Sequence, residues 1–155
     1  MRACCFFVLA ACGRIGFEPA SDAPPRDAPP ETPSFTCADM DLGSALGPSV
    51  LRGTTVGAGN DLPSCTGIDS EEVALAWTAP SSGLFRISTC SSSYNTTLLV
   101  AASCGALPAG TCANDVGNCL PHEIVDLSFS AGERVVIVID GNNSRGPFVL
   151  DITQR

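Results

Sequence analysis

The sequence contains no lysine at all. Its eight basic residues are arginines, set against 16 Asp plus Glu in 155 residues, for a formal net charge of -8. A nucleic-acid partner draws on a stripe of Lys and Arg along one face, so none is expected. Charged residues make up only 15% of the chain, below the usual share of about 25%. There is one His, one Trp and one Tyr, which leaves little material for imidazole chemistry or for a row of stacking aromatics. No apolar run approaches the length of about 20 residues that crosses a bilayer as a helix. No segment sustains a 3.6-residue apolar period, and a helical bundle is thereby excluded.

Cysteine, by contrast, is abundant: Cys4, Cys5, Cys12, Cys37, Cys65, Cys90, Cys104, Cys112 and Cys119. The first three fall in a segment with the parts of an export signal. Arg2 supplies a positive charge, Ala3 to Ala11 is apolar throughout, and small residues precede Cys12. The tetrad Leu9-Ala10-Ala11-Cys12 resembles the lipobox of bacterial lipoproteins. That resemblance implies cleavage before Cys12, transfer of diacylglycerol to its thiol and acylation of the new amino group. Gly13 rather than Asp after Cys12 resembles the outer-membrane sorting pattern. The leader is shorter than the usual span of about 15–30 residues, which points to a true start upstream of Met1.

Once residues 1–11 leave and Cys12 carries lipid, six cysteines remain. An even number in an exported chain reads as three disulfides, with 15 possible connectivities. The pairing expected from strand order is Cys104 with Cys112, Cys90 with Cys119, and Cys37 with Cys65. Zinc is the competing use. The spacing Cys104-x7-Cys112-x6-Cys119 has no C-x2-C knuckle, and His122 is the sole imidazole.

Residues 12–34 read as a linker after the lipidated Cys. Glu18 to Ser34 holds six of the chain's 12 prolines and no bulky apolar side chain, so it cannot bury enough surface to offset its ordering entropy. A disordered, extended tether is expected, reaching about 50 Å at roughly 3.1 Å per residue. A Pro-rich ligand for a partner domain is the alternative.

From Phe35 to the end, residues 35–155 change to period two. Strands are expected near Val50–Val56, Val73–Trp77, Phe85–Ser88, Leu98–Ala101, Val125–Phe129, Val135–Ile139 and Phe148–Ile152, with Gly, Pro, Asn and Asp between them. Val135–Ile139 is apolar throughout, which suits a central strand covered on both faces. The fold class is all-β, a single disulfide-bonded sandwich of about seven to eight strands. Its inward set is Trp77, Phe85, Ile87, Leu98, Val100, Leu127, Phe129, Ile137, Phe148 and Leu150.

Several motifs in order carry a second resemblance. Glu72 to Pro80 followed by Gly83-Leu84-Phe85-Arg86-Ile87, then Ser93 to Val100, Cys112-Ala113-Asn114-Asp115, Ala131-Gly132 with Val135 to Gly141, and Gly146 to Leu150 together resemble the bacterial pre-peptidase C-terminal domain. The resemblance covers about residues 65–155. It implies a jelly-roll-like sandwich that serves as an accessory module for binding, secretion or docking. Asn95 stands where that family has Asp, and Ala113-Asn114-Asp115 offers one carboxylate where the family has two.

No cofactor is expected. Calcium, were it bound, would draw on Asn95, Asp115 and Asp140, helped by Asn142 and Asn143, because it wants six to eight oxygens on a turn; plain turn chemistry explains the same residues. Catalysis lacks a framework: His122 is the only candidate base, and no Gly-x-Ser-x-Gly elbow is present. Glu71 and Glu72 alternate across a strand and cannot act on one bond together. The two glycan-acceptor triplets, at Asn95 and Asn142, have no use in a bacterial lipoprotein. The expected function is a lipid-anchored envelope protein, in the outer membrane, with a non-catalytic sandwich that binds or scaffolds. Its partners would be the membrane, through the anchor, and an envelope protein or polysaccharide. A carbohydrate-binding module that stacks sugar on Trp77 or Tyr94 is the alternative, and a small secreted hydrolase built on His122 a third.

Overall fold

A computed structural model describes residues 32–68 and 70–155. The export segment, Cys12 and most of the Pro-rich tether lie outside the described residues. Among the described residues, nine strands form two sheets. They are β1 (Met40–Asp41), β2 (Gly47–Thr54), β3 (Val73–Thr78), β4 (Gly83–Ser88) and β5 (Thr96–Ala101), then β6 (Thr111–Asn114), β7 (Ile124–Phe129), β8 (Arg134–Gly141) and β9 (Pro147–Gln154). One sheet has the order β1-β3-β8-β5-β6 and the other β2-β9-β4-β7. Every pairing is antiparallel except the short parallel contact of β1 with β3. The all-β sandwich expected from the alternation is what forms.

Alternation explains the layers. Along β3, Leu75 and Trp77 enter the core between the sheets, while Ala74 faces the other way. All ten residues expected inside belong to the central cluster, Leu127 at its margin. Trp77 is fully buried, meets Phe85 and Phe129 edge-on at 5.3 and 5.5 Å, and donates its Nε1–H to the Ala45 carbonyl at 2.9 Å. This satisfies its polar end while its rings fill the core.

Strand β8 sits in the middle of the five-stranded sheet and is buried from Val135 to Gly141. Its two faces feed different clusters. Val135, Ile137 and Ile139 point into the sandwich, whereas Val136 and Val138 join Ala74 and Leu99 on the outer face. That outer face is covered by irregular chain rather than by a third layer of regular structure. Phe35, Cys37, Leu62, Cys65, Cys104 and Leu107 pack on it. Small residues on β3 let this chain come close: the Asp39 N–H donates to the Ala74 carbonyl, and the Ala74 N–H to Asp39 Oδ2, both at 2.8 Å.

Three disulfides close the domain, joining Cys37 to Cys104, Cys65 to Cys112 and Cys90 to Cys119. The Cys90–Cys119 bond matches the expected pairing; the other two do not. Cys104 and Cys112 flank the short turn between β5 and β6, but they do not pair with each other. Each instead captures one covering segment, Cys104 taking the stretch around Cys37 and Cys112 the loop around Cys65. The apolar outer face decides the exchange, because a bond inside the hairpin would have left that cover unfastened. The strand count also exceeds the seven segments recognised in sequence: β1 is only two residues long, and β6 carries Thr, Cys, Ala and Asn rather than bulky side chains.

In the chain-entropy model, loops of 67, 47 and 29 residues' separation contribute about 4.4, 4.0 and 3.6 kcal/mol respectively. Replacing Cys37 and Cys104 together by Ser should therefore lower stability in urea by about 2–4 kcal/mol. A loss under about 0.5 kcal/mol, the usual range for surface changes, would show that the first cover holds without its bond.

Candidate functional site

The polar residues of the sandwich gather at one end of the five-stranded sheet. Register puts Thr97 of β5 between Asn114 of β6 and Asp140 of β8. Beyond the strands, the Asn95 carbonyl accepts the Asn142 N–H at 3.1 Å and the Ser144 hydroxyl at 2.8 Å, and Asn142 Nδ2 donates to Asn114 Oδ1 at 3.1 Å. Asn143 occupies the left-handed region at φ 53°, a conformation that Asn tolerates. Gly141 has no room for a side chain, since a Cβ there would collide with the Ser144 carbonyl. The β8–β9 connection is thus fixed as a tight polar corner.

An open groove of about 440 Å³ runs beside this corner, lined by Asn60, Ser70, Glu71, Asn143, Ser144 and Arg145. Arg145 reaches Glu71 at 3.0 Å, and the second Glu71 oxygen accepts the Gly57 N–H at 3.1 Å. The exposed ion pair adds little stability. It sets a guanidinium and a carboxylate side by side, among amide and hydroxyl groups, in a volume that suits a small polar ligand.

Glu72, the next residue, has a different environment. It is buried, and its Oε1 accepts the N–H groups of Asp61 and Leu62 at 2.6 and 2.9 Å. This carboxylate pins the covering loop onto the sheet. A second buried carboxylate organises the loop after β6. Glu123 is fully buried and accepts the Asp115 N–H at 2.7 Å and the Val116 N–H at 2.9 Å. Its own N–H donates to Thr89 Oγ1, which in turn contacts Thr96 Oγ1 at 2.7 Å. Burial pushes the Glu123 carboxyl above its ordinary range, against the pull of those two backbone donors. Neither Glu72 nor Glu123 stood out in sequence as a structural anchor.

The expected calcium residues are only partly brought together. Asn95 and Asp140 meet at the same sheet end. Asp115 is exposed, and its turn, at φ 57°, is held by the protein's own Glu123. The three therefore do not form one cation site. Among the described residues, no group of three or more His, Cys, Asp or Glu side chains is placed to hold a metal ion. Asp140 itself is buried, with Oδ1 accepting the Gly141 N–H at 2.6 Å.

His122 does not assemble a catalytic group. Its Nδ1 lies 3.0 Å from the Cys119 carbonyl, and among the described residues no Ser, Thr or Cys side chain hydrogen-bonds to its ring. Of the two aromatics expected to stack sugar, Trp77 is enclosed in the core, and Tyr94 is half-buried and packs at the core's margin. Burial pushes the Tyr94 hydroxyl up to about 12, opposed by Thr55 beside it.

No protein-family model matches the chain, and no curated protein matches it. Among solved structures, it is similar to the pre-peptidase C-terminal domain of a collagenase from Bacillus anthracis. Identity is 12%, the match covers 75% of this chain and 96% of that one, and the TM-score is 0.48.

Two carboxylates give opposite pH signatures. Arg86 forms a two-point bond to Asp126 at 2.7 and 2.8 Å and holds its carboxyl below the ordinary range. That stabilisation is present above the unfolded value of about 4 and is lost as pH falls through the folded one. Asp126→Asn should thus cost stability at pH 7 and progressively less in acid. Glu123 titrates in the other sense: with its folded pKa raised, stability falls as pH rises from about 4 through the folded value. Measured by urea unfolding, the advantage of the wild type over Glu123→Gln should widen from pH 7 down to pH 4. A gap that narrowed would contradict the raised pKa.

Proposed function

We propose that this chain is a lipid-anchored protein of the bacterial cell envelope whose β-sandwich binds or scaffolds and does not catalyse. The observation that carries the reading is the cysteine inventory. All six cysteines from Cys37 onward are closed in three disulfides, the state of a chain folded in an oxidising compartment. The remaining three are those of the leader and the lipobox-like Leu9-Ala10-Ala11-Cys12. A thiol at Cys12 would take the glycerolipid, and two or more acyl chains, at about 0.8 kcal/mol per buried methylene, would give lasting attachment. Gly13 supports delivery to the outer membrane.

The binding face of the sandwich is the polar groove around Glu71 and Arg145. Its ligand would be an envelope polysaccharide or a polar surface of an envelope protein. The groove's amide and hydroxyl lining supports a polar ligand of either kind. The burial of Trp77 speaks against sugar stacking on that residue, and the isolation of His122 against a hydrolase.

Cys12→Ala tests the anchor. In a bacterial host, the wild-type protein should enter the detergent phase on Triton X-114 partitioning and yield an acylated amino-terminal peptide by mass spectrometry. The variant should stay in the aqueous phase. Equal partitioning of the two would remove the anchor from this account.

A further inference from the structure

Strand β7 is an edge strand, bonded to β4 on one side only. The other edges are poorly suited to pairing. β1 has two residues and β6 four, and β2 is interrupted by a register shift between Gly47 and Leu51, where Pro48 and Ser49, at φ 53°, lie. Short, kinked or proline-bearing edges discourage the addition of a further strand. β7 is regular over six residues and carries no Pro, Lys or register shift. Its one charge, on Asp126, is already met by Arg86 across the sheet. The free groups of this edge follow from one bond. The Ile124 N–H donates to the Val116 carbonyl at 3.1 Å and so points away from β4. Direction alternates along an antiparallel strand, so Asp126 and Ser128 also turn their N–H and C=O groups outward. Among the described residues, nothing bonds to those groups. Their neighbours on the same edge are engaged, Ile124 by Val116 and the Ser130 N–H by Glu133 Oε2 at 2.8 Å. Leu127, between the two free residues, is half-buried at the margin of the core.

We infer that β7 docks antiparallel on β7 of a second copy of this chain, about a two-fold axis at Leu127. In that register Asp126 of each copy exchanges a pair of hydrogen bonds with Ser128 of the other, and every free N–H and C=O of both edges is used. The two Leu127 side chains meet as a non-hydrogen-bonded pair, the closer kind, with Cα atoms about 4.5 Å apart, and cover one another. On the outer face each Asp126 stands across from a Ser128 hydroxyl rather than from a second carboxylate, which like-charge repulsion would penalise. Moving the axis to Asp126 would set Asp126 against Asp126 and Ser128 against the occupied Ile124. Moving it to Ser128 would set Asp126 against Ser130, whose N–H is engaged. The edge is therefore complementary to itself in one register, which favours a second copy over a foreign strand. An isologous contact of this kind closes on itself and joins the two four-stranded sheets into one. The contact is small, and a net charge of -8 on each copy opposes it, so the pair is weak, with Kd of about 10 μM to 1 mM. Neither the lipid anchor nor the ligand of the groove enters this pairing.

Cross-linking of the full-length, disulfide-intact protein gives the first test. Leu127→Cys places two thiols across the axis within the Cα separation of about 4.4–6.8 Å that a disulfide spans. After mild oxidation, electrophoresis without reductant should show a covalent dimer of the chain. Leu84→Cys is the control, because Leu84 is exposed but lies one strand further from the axis, and it should stay unlinked. Sedimentation in mild detergent gives a second reading that adds no cysteine. The wild type should dimerise as its concentration rises, and added salt should tighten the pair by screening the repulsion between copies. Ser128→Asp, at an exposed position, sets like charges opposite one another twice and should weaken the dimer about tenfold or more, while its Tm stays near that of the wild type. A wild type that remains monomeric at about 1 mM, equal linking of the two cysteine variants, or an undiminished dimer in Ser128→Asp would each overturn self-pairing. Linkage of Leu127→Cys to a different protein would overturn it as well, since a foreign strand would then hold the edge.

Discussion

The structure depends on covering both faces of one strand. Val135 to Ile139 is apolar at every position, so the second sheet can bury only half of it. The protein drapes two irregular segments over Ala74, Leu99, Val136 and Val138 and fastens each with a disulfide. Irregular backbone cannot satisfy itself as a sheet does. Its polar groups are therefore met by Asp39 on one segment and by Glu72 beneath the other. The polar end of the sheet follows from the same arrangement, because the loop fastened by Cys65 brings Asn60 and Ser70 alongside Glu71 and the β8–β9 corner.

The core was the most legible part of the fold. Alternation named its inward residues because period two and burial on one face are the same statement for a strand. The unbroken apolar run at Val135 announced a central strand for the same reason. Disulfide pairing was not legible. Cys104 and Cys112 are close in sequence, but their partners are set by which segments cover the outer face, and nothing in a local pattern encodes that. The candidate site was partly hidden for a related reason. Glu72 and Glu123 look like ordinary surface carboxylates at strand starts. Counting by twos was the available signal: Glu72 shares a face with Ala74 and Glu123 with Val125, and both of those neighbours are buried. Asp115 and Asn95 drew notice through their motifs, yet Asp115 lies on a turn whose charged partner comes from the protein itself.

The polar groove is set on a cross-linked body. The sheets, the three cross-links and the clasped loops leave little freedom in the groove, so a ligand would meet a preformed surface. Arg145 and Glu71 already satisfy one another, which favours a partner able to offer both donors and acceptors over one of a single charge. The overall negative charge points the same way, since it disfavours close approach of polyanions.

Strand β9 lies between β2 and β4, so the four-stranded sheet is assembled from the earliest, a middle and the last of its strands in chain order. Gly47 pairs with Ile152, and Phe85 with Gln154. Such widely separated contacts make for slow folding. They also mean that a nascent segment ending before Pro147 can form neither of these pairings, and the sheet would hold only its β4–β7 pair, itself joined across the whole of β5 and β6. β9 is therefore the strand that closes this sheet, and the second face of the sandwich is complete only once Pro147–Gln154 is in place.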